Sequence, residues 1–187
     1  VSRSLALIVL AYVLLQGCYT LFLKRIGLLD VMIIAAGFVL RAMAGAVAVR
    51  VVISPWLLLC AFLLALFLAL CKRRHEKCML DGNAGQHRPS LAHYDHAFLD
   101  QLISIVSAAT IVAYSIYTLW PDTVLKFGTG ALAFTIPFVM FGMFRYLDLV
   151  YHREEGGQPE QVLLKDGPLL IDLVLYGAAV LLIFKLA

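Results

Sequence analysis

The stretch Leu66-Phe67-Leu68-Ala69-Leu70-Cys71-Lys72-Arg73-Arg74-His75-Glu76-Lys77 passes from an unbroken apolar run to four cations and a carboxylate in less than two helical turns. Residues 55–71 carry no charge at all, so the change at Lys72 reads as a helix leaving a bilayer. If the helix continues, Glu76 lies four residues from Lys72 and three from Arg73, the spacings at which side chains meet. Positive charge at such an edge marks the cytoplasmic end of a span. An excess of ammonium and guanidinium groups also suits a polyanionic ligand, because arginine grips phosphate with a planar fork and lysine acts as a point charge. The charge pattern alone leaves both readings open.

The rest of the chain has the same character. Apolar residues make up 63% of it and charged ones only 14%, against roughly 25% charged in a soluble domain, and the mean hydropathy is +0.92. An integral membrane protein follows. The apolar runs are long and do not alternate residue by residue, which favours an all-α polytopic bundle over a barrel. The net charge of +3 is spread between apolar runs, so no nucleic-acid surface is implied. Cys18, Cys60, Cys71 and Cys78 show no paired spacing, which argues against a zinc site. The chain opens Val1-Ser2-Arg3 without an initiator Met or a signal-peptide layout, so an N-terminal portion is expected to be missing.

Six spans are predicted, at about 4–16, 29–49, 55–71, 97–120, 127–151 and 168–186. The connections after the first, third and fifth carry Lys24, Arg25, Lys72, Arg73, Arg74, Lys77, Arg88, Arg153 and Lys165, whereas the other side has Arg3, Arg50, Lys126 and Lys185. The positive-inside rule puts the richer connections in the cytoplasm. In the second span Asp30 and Arg41 return to about the same angular position at 100° per residue, near Gly37, Gly45 and Ala48. Charge and small residues in one stripe predict that it faces the bundle centre. An arginine as deep as Arg41 needs an anion, either a carboxylate or a ligand phosphate. Arg145 and Asp148 are three apart and able to pair. Asp172 stands near the start of the last span, where the helix dipole favours a carboxylate. Tyr114, Tyr117 and Trp120 read as an interfacial belt.

Phosphate or diphosphate is the natural ligand for the cationic connections, with magnesium held through one or two carboxylates. Glu76 and Asp81 are the nearest, and no DxxxD run occurs. Gly82-Asn83-Ala84-Gly85 and Gly156-Gly157 form turns without the Lys-Ser or Lys-Thr of a phosphate-binding loop. His75, His87, His93 and His96 complete no zinc signature, and Ser90 and Ser104 have no evident His-Asp pairing.

Taken in order, Tyr19-Thr20-Leu21-Phe22-Leu23-Lys24-Arg25 with Leu29-Asp30-Val31, then Gly37-Phe38-Val39-Leu40-Arg41-Ala42 and Gly45, then Lys72-Arg73-Arg74-His75-Glu76, resemble the UbiA-type intramembrane prenyltransferase superfamily. Arg88-Pro89-Ser90-Leu91 with Tyr94, Arg145-Tyr146-Leu147, and Gly156-Gly157-Gln158-Pro159-Glu160 with Asp166 extend the match. The similarity is greatest to the decaprenyl-phosphate phosphoribosyltransferase branch. It implies a UbiA-like bundle of nine helices, of which the six spans here correspond to the last six, so residues 1–187 form a single membrane domain equivalent to the C-terminal two-thirds of such an enzyme. The family's first Asp-rich motif has no counterpart here, and the main magnesium ligands are expected in the missing N-terminal segment. In aromatic prenyltransferases of the family a second Asp-rich motif stands where this chain has Lys72-Arg73-Arg74-His75-Glu76. Cations in place of carboxylates favour direct contact with phosphate oxygens.

The resemblance implies transfer of a 5-phosphoribosyl group from phosphoribosyl diphosphate to a polyprenyl (decaprenyl) phosphate, on the cytoplasmic face of a bacterial inner membrane and with Mg2+. Lys72, Arg73 and Glu76 are then the catalytic candidates. Lys72, Arg73 and Lys24 would neutralise phosphates and Tyr19 would donate to the diphosphate. Arg41 and Arg88 would hold other phosphates, and Glu76 would orient the cations or help bind magnesium. Transfer of a polyprenyl group from an allylic diphosphate to an aromatic acceptor is the alternative. A transporter or lipid-binding subunit is a third, and it predicts broken helices related by an internal repeat.

Overall fold

The computed structural model of the protein describes residues 3–79, 90, 94–152 and 157–186. Arg88, Asp81 and the turn at 82–85 lie outside the described residues. In chain order the helices are α1 (Arg3–Leu21), α2 (Leu29–Ala48), α3 (Pro55–Met79), α4 (His96–Leu119), α5 (Pro121–Phe127), α6 (Ile136–His152), α7 (Pro159–Lys165) and α8 (Gly167–Leu186). Short 3-10 turns at Leu23–Arg25 and Ala131–Thr135 precede α2 and α6. No strand occurs among the described residues. Six of these helices, α6 counted with its 3-10 turn, are long and apolar enough to cross a membrane, since twenty residues rise about 30 Å.

Local chemistry sets the boundaries. Pro55, Pro121 and Pro159 open α3, α5 and α7, at a position where the missing N–H costs nothing. Asp95 caps α4, its Oδ1 accepting from the Phe98 N–H at 2.6 Å. Gly128, at φ +72°, ends α5 in the left-handed conformation that glycine adopts freely. The expected fifth span therefore begins after this break and not at 127. The third span differs the other way. α3 runs on through the cations to Met79, because lysine, arginine and glutamate are good helix formers.

The long helices pack largely in chain order. α2, α3, α4 and α6 enclose Val31, Phe67, Leu70, Leu99, Ile103 and Leu149, and the Phe67 ring meets Tyr146 edge-on at 5.5 Å. α1 buries no residue and α8 only Leu169. Leu7, Leu14, Phe38, Val112, Phe141 and Leu182 point outward, as side chains facing lipid do.

Two expectations about faces are corrected. The stripe on α2 is buried only in its first half, at Asp30 and Gly37, while Arg41, Gly45 and Ala48 are exposed. The neighbouring helices cover α2 near its start and leave its far half open. Tyr114 is buried and not interfacial. Its hydroxyl hydrogen-bonds Thr135 Oγ1 at 2.6 Å and Tyr176 Oη at 3.2 Å, which ties α4 to the 3-10 turn before α6 and to α8. The belt at that end is instead Trp120 against Trp56, with ring centroids 5.2 Å apart. Beside it Lys126 Nζ donates to the Val52 carbonyl at 2.7 Å.

The ends of α1, α3 and α6 and the starts of α2, α4 and α8 gather at the opposite end of the bundle. The three cation-rich connections therefore share one polar mouth.

Candidate functional site

The mouth is built around Asp30, in the first turn of α2 and fully buried. A carboxylate taken out of water persists only if it is paired and hydrogen-bonded, and three side chains from two stretches of chain supply this. Tyr94 Oη donates to Oδ1 at 2.7 Å and Ser90 Oγ to Oδ2 at 3.1 Å. From α3, Arg73 Nε stands 3.2 Å from Oδ2. That nitrogen makes no aligned hydrogen bond, so the contact is chiefly coulombic. Tyr94 is used twice, because its hydroxyl also accepts from the Leu28 N–H at 2.6 Å. Leu28 holds a left-handed φ of +67°, uncommon for a leucine, and the Tyr94 bond is one contact that holds this turn. Burial, together with the hydrogen bond to Asp30, pushes the Tyr94 phenol well above its ordinary range, so it stays a neutral donor.

Arg73 is as buried as its partner and reaches Glu76 with Nη1. Glu76 is partly exposed, so the sequence Asp30, Arg73, Glu76 leads from the interior to the mouth. Arg74 turns the other way. Its Nε donates to Asp100 Oδ1 at 2.7 Å and its Nη1 to the Val150 carbonyl at 3.2 Å, and its guanidinium lies 4.2 Å from the Tyr151 ring. Both arginines of the cluster are thus engaged inside the bundle. The side chain beside them that remains exposed is Lys72.

Across the mouth a second arginine makes a similar clamp. Arg145 Nε and Nη2 reach Asp166 at 3.1 and 2.7 Å and Nη1 reaches Asp148 at 2.7 Å. Asp166 also caps α8 through the Leu169 N–H at 3.0 Å. The pairing of Arg145 with Asp148 follows from their spacing. The stronger partner, Asp166, comes from a different element and has no local signal.

The structure thus brings Arg73 and Glu76 together, with Lys72 on the same turn. Tyr19, half-buried in the last turn of α1, and Lys24, exposed in the 3-10 turn, belong to the same end. Arg88 lies outside the described residues. Arg41 is elsewhere. It is exposed, eleven residues beyond Asp30, about 16 Å along the helix axis. There its guanidinium lies 4.2 Å from the Phe38 ring and 3.5 Å from Tyr12 Oη. Sequence reasoning gave no role to the Asp30 carboxylate at the mouth or to Ser90. The signal for Asp30 was its position at the edge of an apolar run, which demands a partner.

Among the described residues no three His, Cys, Asp or Glu side chains converge as a metal site. Glu76, one turn on from Lys72, is engaged by Arg73. These described residues do not fit a protein-built magnesium cage.

A sequence profile described as the UbiA prenyltransferase family matches residues 1–163. Among curated proteins the chain is similar to the decaprenyl-phosphate phosphoribosyltransferase of Mycolicibacterium smegmatis, 29% identical over 91% of this chain and 55% of the relative. The protein of the same name from Corynebacterium glutamicum is 30% identical over 87% of this chain and 49% of the relative. That from Mycobacterium tuberculosis is 26% identical over 88% and 53%. The chain spans about half the length of the curated relatives it matches.

Proposed function

The chain belongs to the UbiA prenyltransferase family, and we propose that its mouth serves transfer of a 5-phosphoribosyl group from phosphoribosyl diphosphate to a polyprenyl phosphate. The observation that carries this reading is the division of charge on α3. Arg73 and Arg74 are neutralised internally, while Lys72 stands exposed at the end of the bundle that also bears Lys24. The names of the relatives agree with this chemistry.

In the reaction the bond from the ribose C1 to the diphosphate oxygen breaks and the diphosphate leaves with the electron pair. An oxygen of the lipid phosphate forms the new bond to C1. That oxygen is already anionic, so no strong general base is required. Positive charge fixed beside the leaving group is the main demand, because it stabilises charge that develops only in the transition state. Lys72 and Lys24 supply it and Tyr19 donates a hydrogen bond, with Arg88 as a further phosphate ligand. Arg73 and Glu76 position the Lys72 turn, Arg73 by anchoring it to Asp30. Magnesium would come with the diphosphate of the donor. In this reading the protein sits in a bacterial inner membrane with its outward apolar faces in the lipid, and the positive-inside rule supports a cytoplasmic orientation of the mouth.

The family's description favours a second reading, transfer of a polyprenyl group from an allylic diphosphate to an aromatic acceptor. The full gene product, purified into lipid nanodiscs, decides between them. The proposal expects phosphoribosyl diphosphate to be consumed, and diphosphate released, only when polyprenyl phosphate is present. Release that instead requires an allylic diphosphate and an aromatic acid would overturn it.

A further inference from the structure

Besides its apolar packing, the third polar connection meets α3 at Gly157. Gly157, just before α7, lies so close to the His75 imidazole that a β-carbon there would stand 2.3 Å from Cδ2 and 2.5 Å from Nε2. A side chain enters that gap only by displacing the ring. On the other edge of the imidazole Nδ1 is buried and has no hydrogen-bond partner among the described residues. Packing therefore sets the place of the ring, and the Gly157 backbone is part of that packing.

The position on the helix gives the contact its meaning. At 100° per residue His75 stands about 60° to one side of Lys72 and Glu76 about 40° to the other. The three form one face of α3, while Arg73 and Arg74 turn away to Asp30 and Asp100. A segment resting on His75 thus lies beside Lys72.

We propose that Gly157 and His75 are positioning residues, which together hold the start of α7 against the Lys72 face and fix one wall of the mouth. This rests on the phosphate-site reading above. His75 acts through its bulk, as the seat, and Gly157 through its lack of a side chain. Neither residue needs to touch the ligand.

A double-mutant cycle in the full gene product tests the pairing. Gly157→Ala is expected to raise KM for phosphoribosyl diphosphate about tenfold, as small displacements of positioning groups do, with a smaller effect on kcat. It is also expected to speed amide hydrogen exchange over residues 159–165. In a His75→Ala background the methyl group has space, so the same glycine substitution should cost nothing further in either measurement. Unchanged exchange in Gly157→Ala, or an equal penalty with and without the imidazole, would overturn the proposal. Exchange is read without turnover, so a protein that ignores phosphoribosyl diphosphate would defeat the functional reading and leave the positioning contact decided on its own.

Discussion

Two arginines at the mouth, Arg73 and Arg145, are clamped by the same pattern: an acid three residues on in the same helix and a second, more buried acid from another element. Their surroundings differ. Arg73 has 3% of its side chain exposed and Asp30 none, whereas Arg145 keeps 21% and Asp166 4%. Asp30 also collects Tyr94 and Ser90, while Asp166 caps α8. The first clamp is an interior joint of α2 and α3 with Ser90 and Tyr94. The second is a rim contact to which water has access. The same choice of partners therefore does not mean equal energy, because the loss of one partner is costly only where the other charge cannot reach solvent.

Substitutions can break or sharpen this contrast. The largest effect is expected from Asp30→Ala, which leaves the buried Arg73 without its interior carboxylate and should lower stability by about 3–5 kcal/mol, measured by thermal unfolding in detergent. Replacing both partners, as Asp30→Leu with Arg73→Met, should recover most of that loss. A double variant as unstable as the single would show that the burden is not the buried charge of Arg73. Asp166→Ala comes next. It removes a cap worth about 1 kcal/mol, and Arg145 can turn to water and to Asp148, so the loss should stay well below that at Asp30.

Tyr94→Phe should cost about 1 kcal/mol at neutral pH, since the Leu28 N–H and Asp30 each lose a hydrogen bond. It also has a signature in alkali. The folded state holds the Tyr94 phenol above its ordinary value, so the unfolded chain gives up that proton first. The contribution is complete below the ordinary tyrosine value of about 10 and fades as the pH climbs toward the folded one. The phenylalanine variant should lose less stability over that interval, and an unchanged alkaline slope would contradict the neutral, buried phenol. Lys72→Ala should have the smallest effect on stability, with an unchanged melting temperature, yet it should reduce turnover at least tenfold if its charge serves the leaving group. Normal turnover in that variant would remove Lys72 from the site.

The helical membrane class, the six spans and the shared mouth were legible because they rest on hydropathy, length and charge asymmetry, which need no knowledge of packing. The same is true of Arg145 with Asp148, whose spacing along one helix is enough. The joint at Asp30 was not legible, as its partners are Arg73 on α3 with Ser90 and Tyr94, and no periodicity connects them. Arg41 shows the opposite error. Its angular agreement with Asp30 is real, but the reading assumed neighbours along the whole of α2, and cover stops near Gly37. Tyr114 was misplaced because an aromatic near a helix end looks the same in sequence whether it meets headgroups or hydroxyls from two other helices. Gly157 read simply as a turn residue, since its need for space comes from a ring on another helix.

The joint at Asp30 also has a consequence for how the protein is made. Asp30 precedes Ser90 by 60 residues and Tyr94 by 64, so the ribosome delivers the acid long before its donors. Its place in the first turn of α2, and not at mid-depth, lets it wait in the hydrated headgroup layer while α3 is still emerging. Only when the third helix has entered the bilayer and the chain has turned toward α4 can water be expelled and the acid enclosed. The second helix can therefore insert early, but its seating waits until the chain has been made as far as Tyr94.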